Sequence, residues 1–360
     1  MKTNAIIATA KSSFHIRAEI IAESVSSRQI GSSPAIWRLA STSRAAYTLC
    51  SMLNKRLRAD LALGFCALIW GATFVAVKDA LADVSVIVYI AVRFALAAVV
   101  MAIFFRHALR GLTGKAVWAG AQIGFCMFTA YVFQTAGLKY TTPSKAAFIT
   151  GSSVVIVPLL LAVFGRRRIN IWIWAGALAA LVGLYFLTVP PEGFSGLNRG
   201  DPIVFGCAVM FAVHMILISR HVEHHSVGAL AVIQVATSAV LASIALPFLA
   251  VTGWEPPRLV WTSNLIFAVL VTAIGSTAIG FSFQTWAQQY ASPSHTAILI
   301  SLEPVFAAIT SWLLAREHLG GRVLLGAALI LAGILLAELK GHAPAIAPES
   351  LESAGNGENS

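Results

Sequence analysis

The stretch Phe133-Gln134-Thr135-Ala136-Gly137-Leu138-Lys139-Tyr140-Thr141-Thr142-Pro143-Ser144 returns 150 positions later as Phe283-Gln284-Thr285-Trp286-Ala287-Gln288-Gln289-Tyr290-Ala291-Ser292-Pro293-Ser294. Both copies carry Phe-Gln-Thr, Tyr after four residues, and Pro-Ser after two more. The register runs on without a gap: Ala147 pairs with Ala297, Arg166 with Arg316, Gly176 with Gly326 and Gly183 with Gly333. Apolar helices share Leu, Ala and Gly by accident, but Gln, Tyr, Pro and Arg in constant register mark a duplicated unit.

The unit sits in a membrane. Of 360 residues, 58% are hydrophobic and only 11% charged, with a mean hydropathy of +0.80, against about 25% charged in soluble domains. No Asp, Glu, Lys or Arg occurs between Arg258 and Glu303. The net charge of +10 falls in short loops between apolar segments, a topology signal rather than a stripe for nucleic acid, which is not expected as a partner. Cys50, Cys66, Cys126 and Cys207 show no paired spacing and read as small core residues, without disulfide or metal.

Apolar runs of about 20 residues, the length that crosses the hydrocarbon core, fall at 60–78, 84–105, 116–137, 143–164, 170–189, 200–219, 227–251, 263–288, 292–314 and 321–338. The expected fold is therefore an all-α polytopic membrane protein of ten transmembrane helices. The first helices of the halves also match: Asp60, Cys66 and Trp70 correspond to Asp201, Cys207 and Phe211, 141 positions on. Five helices per repeat force the second copy to enter from the opposite side, so the repeats, 58–190 and 199–339, are inverted. Lys and Arg in the loops divide eleven against seven in favour of both termini facing the cytoplasm of a cell (inner or plasma) membrane. Residues 1–57 read as a disordered extension. Residues 1–51 are Ser-rich and basic like a transit peptide, and Met52 is an alternative start. The tail 340–360 reads as disordered and acidic.

Ionisable side chains at mid-membrane cost about 2.5–3.5 kcal/mol on insertion scales, so each has a partner or a task. Arg93 lies near the middle of 84–105 and Glu303 near the middle of 292–314. Thr296 and Thr310 lie seven residues either side of Glu303 on one helical stripe, and Pro304 is expected to kink that helix. Glu303 is a candidate proton or cation site; a structural ion pair with Arg93 is the alternative. Uncharged candidates for a polar cavity are Tyr131 with Gln134, Gln122 with Thr129, His214, Gln234, and the row Thr277, Phe281, Gln284 and Gln288. Ser153 occupies the repeat position of Glu303. Each alone is commonly a helix–helix hydrogen bond, worth about 0.6 kcal/mol in a membrane; their spread over several helices is what suggests a cavity. His221, Glu223, His224 and His225 form a solvated loop cluster rather than a zinc site. There is no Walker A sequence, HExxH, GxSxG or dinucleotide turn, so no enzyme activity and no cofactor is expected.

Trp70-Gly71-Ala72-Thr73-Phe74, Arg93-Phe94, Leu302-Glu303-Pro304-Val305-Phe306 and the closing Gly326-Ala327-Ala328-Leu329-Ile330-Leu331-Ala332-Gly333 resemble the drug/metabolite transporter superfamily, in its ten-helix EamA-type branch, over about residues 58–339. The resemblance implies inverted five-helix repeats around a central cavity, lined by helices one to four and six to nine, and export of small metabolites or drugs by alternating access. Trp70, Tyr131, Gln134 and Gln284 are then candidates to touch solute. The expected partners are a small-molecule solute and the lipid bilayer, with a proton as coupling ion and a second copy of the chain as further candidates. Uptake, or a non-transporting sensor or scaffold, are the rival readings. The chain departs from the pattern at Pro158, one turn later than the repeat requires, and at Glu317, which follows Ala-Arg.

Overall fold

A computed structural model describes residues 34–165, 168–189, 192–193, 196, 198–252, 255–315 and 320–340. The chain divides into two units, Met1–Lys55 and Arg56–Ser360. In the first, the described residues are helical from Pro34 onward. Pro34 suits a first helical turn, and no Gly or Pro follows it until Gly64. Residues 1–33 and 341–360, with the transit-peptide and acidic-tail readings attached to them, lie outside the described residues, as do Arg316 and Glu317.

The second unit is a helical bundle. Its elements are residues 56–80 of α1 (Pro34–Ala80, apolar from Lys55), then α2 (Val86–Phe104), α3 (Gly114–Leu138), α4 in two halves (Pro143–Gly151 and Ser153–Val163) and α5 (Ile171–Thr188), followed by α6 (Gly200–His221) and α7 (Val227–Thr252). Helix α8 has three parts (Ser263–Leu270, a π-helical Val271–Ile279, and Gly280–Ala287), α9 two (Pro293–Ile300 and Glu303–Ala315), and α10 runs Gly321–Lys340. Among the described residues nine helices are long and apolar enough to cross a membrane, and Pro293–Ile309 forms a shorter apolar one. Phe104, Phe164, Val251 and Leu339 are each at least 78% exposed on the outside, a surface suited to lipid tails.

The duplicated motif encodes a corner. Its Phe-Gln-Thr closes α3 and α8, and its Pro-Ser opens α4 and α9. Thr142 accepts a hydrogen bond from the Lys145 N–H, and Ser292 accepts one from the His295 N–H, both at 3.3 Å. Each capping hydroxyl precedes a proline in the first turn, where a missing N–H costs nothing.

Inversion is visible where α5 crosses α10, the most extensive helix pair in the bundle. A Cβ on Gly176 would meet the Gly333 carbonyl oxygen at 2.6 Å, and one on Gly183 would meet that of Gly326 at 2.6 Å. Exchanging repeat equivalents (176 with 326, 183 with 333) turns each of these contacts into the other. The helices therefore run antiparallel about a two-fold axis through their crossing, as opposed halves require.

Both repeats break their fourth helix at the same place. α4 is interrupted at Ser152 and α9 at Ser301–Leu302; Leu302 lies 150 positions from Ser152, and Ser301 is the repeat equivalent of Gly151. The Ser152 hydroxyl donates to the Ile149 carbonyl (2.6 Å) and the Ser301 hydroxyl to that of Ile298 (2.5 Å), offering the backbone a local alternative to the helical ladder. The expected kink at Pro304 thus falls just ahead of it, and the misplaced Pro158 lies inside a continuous half-helix. Serine side chains, with proline only in one copy, mark these breaks.

Candidate functional site

The breaks in α4 and α9 face a central cavity of about 70 Å³, room for several waters at about 10–15 Å³ each. Helix α1 contributes Trp70, Thr73 and Val77, α2 Arg93, α3 Tyr131, Gln134 and Leu138, and α4 Thr150, Gly151 and Ser153. From the second repeat come Phe211 and Met215 of α6, Ser276, Phe281 and Gln284 of α8, and Ala297, Ser301, Glu303 and Pro304 of α9.

Small residues allow this convergence. Without a Cβ, Gly71 lets α1 lie directly against the Glu303 backbone, and Gly280 leaves the room that Trp70 fills, where a Cβ would stand 2.9 Å from its Nε1. Trp70 Nε1 donates to the Ser276 carbonyl at 2.8 Å, a carbonyl presented by the π-helical turn, and its ring lies 5.2 Å from that of Phe281. Trp-Gly in α1 is thus a docking pair: the ring hooks α8, and the glycine admits α9.

Arg93 is 3% exposed. Its Nε donates to Thr277 Oγ1 (2.8 Å) and its Nη2 to Ser276 Oγ (2.8 Å) and Tyr131 OH (3.2 Å). The guanidinium also lies 4.5 Å from the Tyr131 ring centroid, a cation–π contact. Ser276 and Thr277 are adjacent in the π segment, whose wider turn carries two successive hydroxyls to one cation. All of these partners are neutral. Among the described residues no carboxylate lies within 4.0 Å of Arg93, so the ion pair with Glu303 is not formed.

Glu303, half-buried at the start of the second part of α9, has no hydrogen-bond or ion-pair partner for its carboxylate among the described residues. Gln284, 1% exposed, leaves its Oε1 unpaired. Buried polar atoms are normally satisfied, so this oxygen, the Thr150 hydroxyl and the Glu303 carboxylate are cavity groups with capacity to receive a donor. The floor is aromatic: Tyr131 meets Phe94, Phe211 and Phe281 edge-on at 5.1, 5.4 and 6.1 Å. Ser153 stands at the Glu303 position of the other half, 6% exposed. The cavity is asymmetric, with a cation from the first repeat and a carboxyl from the second.

Other expected residues lie elsewhere. Gln122 is half-buried away from the cavity. His214 and Gln234, both 0% exposed, form a structural chain: His214 Nε2 bonds Gln234 Oε1 (2.9 Å) and Gln234 Nε2 donates to Thr285 Oγ1 (2.9 Å). This chain ties α6, α7 and α8 together behind the cavity wall. Gln288 donates to the Met215 carbonyl (2.8 Å) and Ser219 Oγ (2.9 Å). Thr129 is satisfied within its own helix, donating to the Phe125 carbonyl, and the Thr310 side chain lies outside the described residues. Helical periodicity separates buried from exposed, but a cavity wall and a helix interface are both buried. The π segment, with Ser276, was not anticipated; two hydroxyls flanked by Gly275 and Gly280 were the available signal.

The profile of the EamA-like transporter family matches residues 57–189 and again 198–339. An uncharacterized transporter of Archaeoglobus fulgidus is 35% identical over 291 residues, 79% of this chain and 87% of that protein. The threonine/homoserine exporter RhtA of Salmonella typhimurium is 27% identical over 49% of this chain and 57% of its own length. A protein of known crystal structure shares the fold, with a TM-score of 0.65 at 20% identity, covering 79% of this chain and 97% of that one.

Proposed function

We infer function from family and cavity together: the chain belongs to the EamA-like transporter family and is a multi-pass membrane transporter, and we propose that it exports a small zwitterionic metabolite of amino-acid size by alternating access. The carrying observation is the pairing, on one cavity of about 70 Å³, of a guanidinium held by neutral groups with a carboxyl that has no hydrogen-bond or ion-pair partner among the described residues. A solute bearing carboxylate and ammonium groups satisfies both, with Gln284 Oε1 as a further acceptor for its N–H groups. The aromatic floor accepts a short apolar side chain. Export is supported by the likeness to the threonine/homoserine exporter RhtA; uptake through the same cavity is the second reading. The loop charges support cytoplasmic termini in the cell membrane.

Proteoliposome counterflow tests this. Threonine-sized amino acids should exchange, analogues lacking either the carboxylate or the ammonium should not, and Arg93→Gln should lower exchange at least tenfold. Equal flux of the decapitated analogues, or an unaffected Arg93→Gln, refutes the solute class. Glu303 is proposed as the site where solute ammonium or a coupling proton binds. Transport whose pH dependence survives Glu303→Gln removes the proton role.

A further inference from the structure

Among the ion pairs of the described residues that join the first half of the chain to the second, two are related by the duplication. Asp60 of α1 meets His295 of α9, Oδ1 to Nε2, at 2.8 Å. Lys145 of α4 meets Asp201 of α6, Nζ to Oδ2, at 2.6 Å. Asp60 and Asp201 are related by the 141-residue offset of the first helices, and Lys145 and His295 by the 150-residue offset of the duplicated motif. They are one pair written twice. Inversion sends the copies to opposite ends of the bundle: Asp60 lies toward the beginning of the apolar part of α1, whereas Lys78 near its far end bonds the carbonyls of Leu138 and Thr141, next to the Thr141 hydroxyl that bonds Asp201. The central cavity lies between the two ends.

We propose that these pairs are matched latches on the two mouths of the cavity, and that His295 makes its own latch a proton-binding site while Lys145 keeps the other permanently charged. The geometry at His295 carries the assignment. Nε2 faces Asp60 Oδ1 at 2.8 Å, and Nδ1 faces Glu338 Oε2 of α10 at 3.2 Å. Only an imidazolium has an N–H on both nitrogens. When the proton leaves to water, one of the two bonds becomes a lone pair set against a carboxylate oxygen. Exchange has a route, because the Asp60 and Glu338 side chains are 20% and 32% exposed. Among the described residues the charged groups paired with or next to the ring are Asp60 and Arg56 from α1 and Glu338 from α10. Arg56 Nη2 holds the same Glu338 oxygen at 3.3 Å. Deprotonation therefore costs α9 one of these two bonds and sets a lone pair against a carboxylate oxygen, which weakens the latch while α1 and α10 stay joined through Arg56 and Glu338. At the other end Lys145 Nζ also donates to the Gly196 carbonyl at 2.7 Å, and Asp201 accepts from the Asn198 N–H at 2.9 Å; an ammonium keeps its charge where an imidazole loses it. The consequence for transport rests on the alternating-access reading: one mouth opens more readily as the proton leaves.

Distances between spin labels across each end test this without any solute, so failure here and failure of the flux assay are separately visible. The protein in lipid nanodiscs, with its four native cysteines replaced by Ala, carries labels at Arg58→Cys with Gln289→Cys, or at Thr142→Cys with Arg199→Cys, all exposed positions. Between about pH 5.5 and about pH 8, a longer-distance population should grow severalfold across 58–289 and stay constant across 142–199. His295→Lys should abolish the change. Lys145→His should transfer it to the 142–199 pair. A 58–289 distance indifferent to pH, a change that persists in His295→Lys, or a Lys145→His protein with an unresponsive far end each overturns the proposal.

Discussion

Gly176→Ala is the sharpest test of the inverted architecture, because its cost follows from one distance. The added methyl would stand 2.6 Å from the Gly333 carbonyl oxygen and 3.0 Å from Ala337 Cβ, where ordinary contact begins at 3.4 Å. Backbone oxygen cannot rotate away, so α5 and α10 must part by about 0.8 Å, an overpacking change that costs about 1–3 kcal/mol. The repeat equivalent Gly326→Ala meets the Gly183 oxygen at 2.7 Å and the Leu187 nitrogen at 2.8 Å, and its cost should agree with that of Gly176→Ala to within about 0.5 kcal/mol. Gly176→Ala with Gly333→Ala should cost less than the sum of the two, since the first separation makes room for the second methyl. Gly64→Ala, with nothing within 4 Å, is the control; it should be neutral or stabilise by up to about 1 kcal/mol. Reversible unfolding in mixed micelles of SDS and a maltoside detergent, followed by tryptophan fluorescence, measures all of these. A Gly176→Ala protein as stable as the parent to within about 0.5 kcal/mol refutes the crossing.

Gln234→Leu strips His214 Nε2 and the Thr285 hydroxyl of a partner, and should destabilise by about 1–3 kcal/mol in the same titration while flux per folded molecule is unchanged. Thr277→Val removes the acceptor of Arg93 Nε; stability should fall by about 0.6 kcal/mol, and the counterflow half-saturation concentration should rise because the guanidinium loses its anchor. Gln284→Ala should leave unfolding within about 0.5 kcal/mol of the parent, since its Oε1 bonds nothing, and lower exchange. Glu255→Gln cuts the partly exposed pair with Lys139 and should cost less than about 1 kcal/mol, an effect that vanishes in high salt.

The duplication, the five-helix halves and their inversion were legible because Gln134, Tyr140, Pro143 and Arg166 recur where apolar drift would not repeat them. Arg93 and Glu303 were legible as functional candidates because a charge in an apolar span needs a reason. What escaped reading depends on partners far along the chain. The π-helical part of α8 exists where Arg93 and Trp70 meet its backbone and hydroxyls, and no local pattern announces it. His214 and Gln234 looked like Gln284 on their helices; only the arrival of Thr285 from α8 diverts them from the cavity to a buried chain. The prolines drew attention to Pro158 and Pro304, whereas Ser152 and Ser301 sit at the helix breaks.

The reciprocal glycine crossing of α5 and α10 also describes how such a molecule acquires direction. Two separate copies of one five-helix chain could meet through the same crossing, but every residue would then occupy both environments and a compromise would be forced at each. Joining the copies in one chain lifts that constraint position by position. It has been used where a transporter needs its two sides to differ: Glu303 against Ser153 at the cavity, Arg93 against Gln234 seven residues into α2 and α7, and His295 against Lys145 at the ends. The glycines that hold the halves together are alike in both copies, and under the proposals above these differing residues are the ones through which one face of the membrane is told from the other.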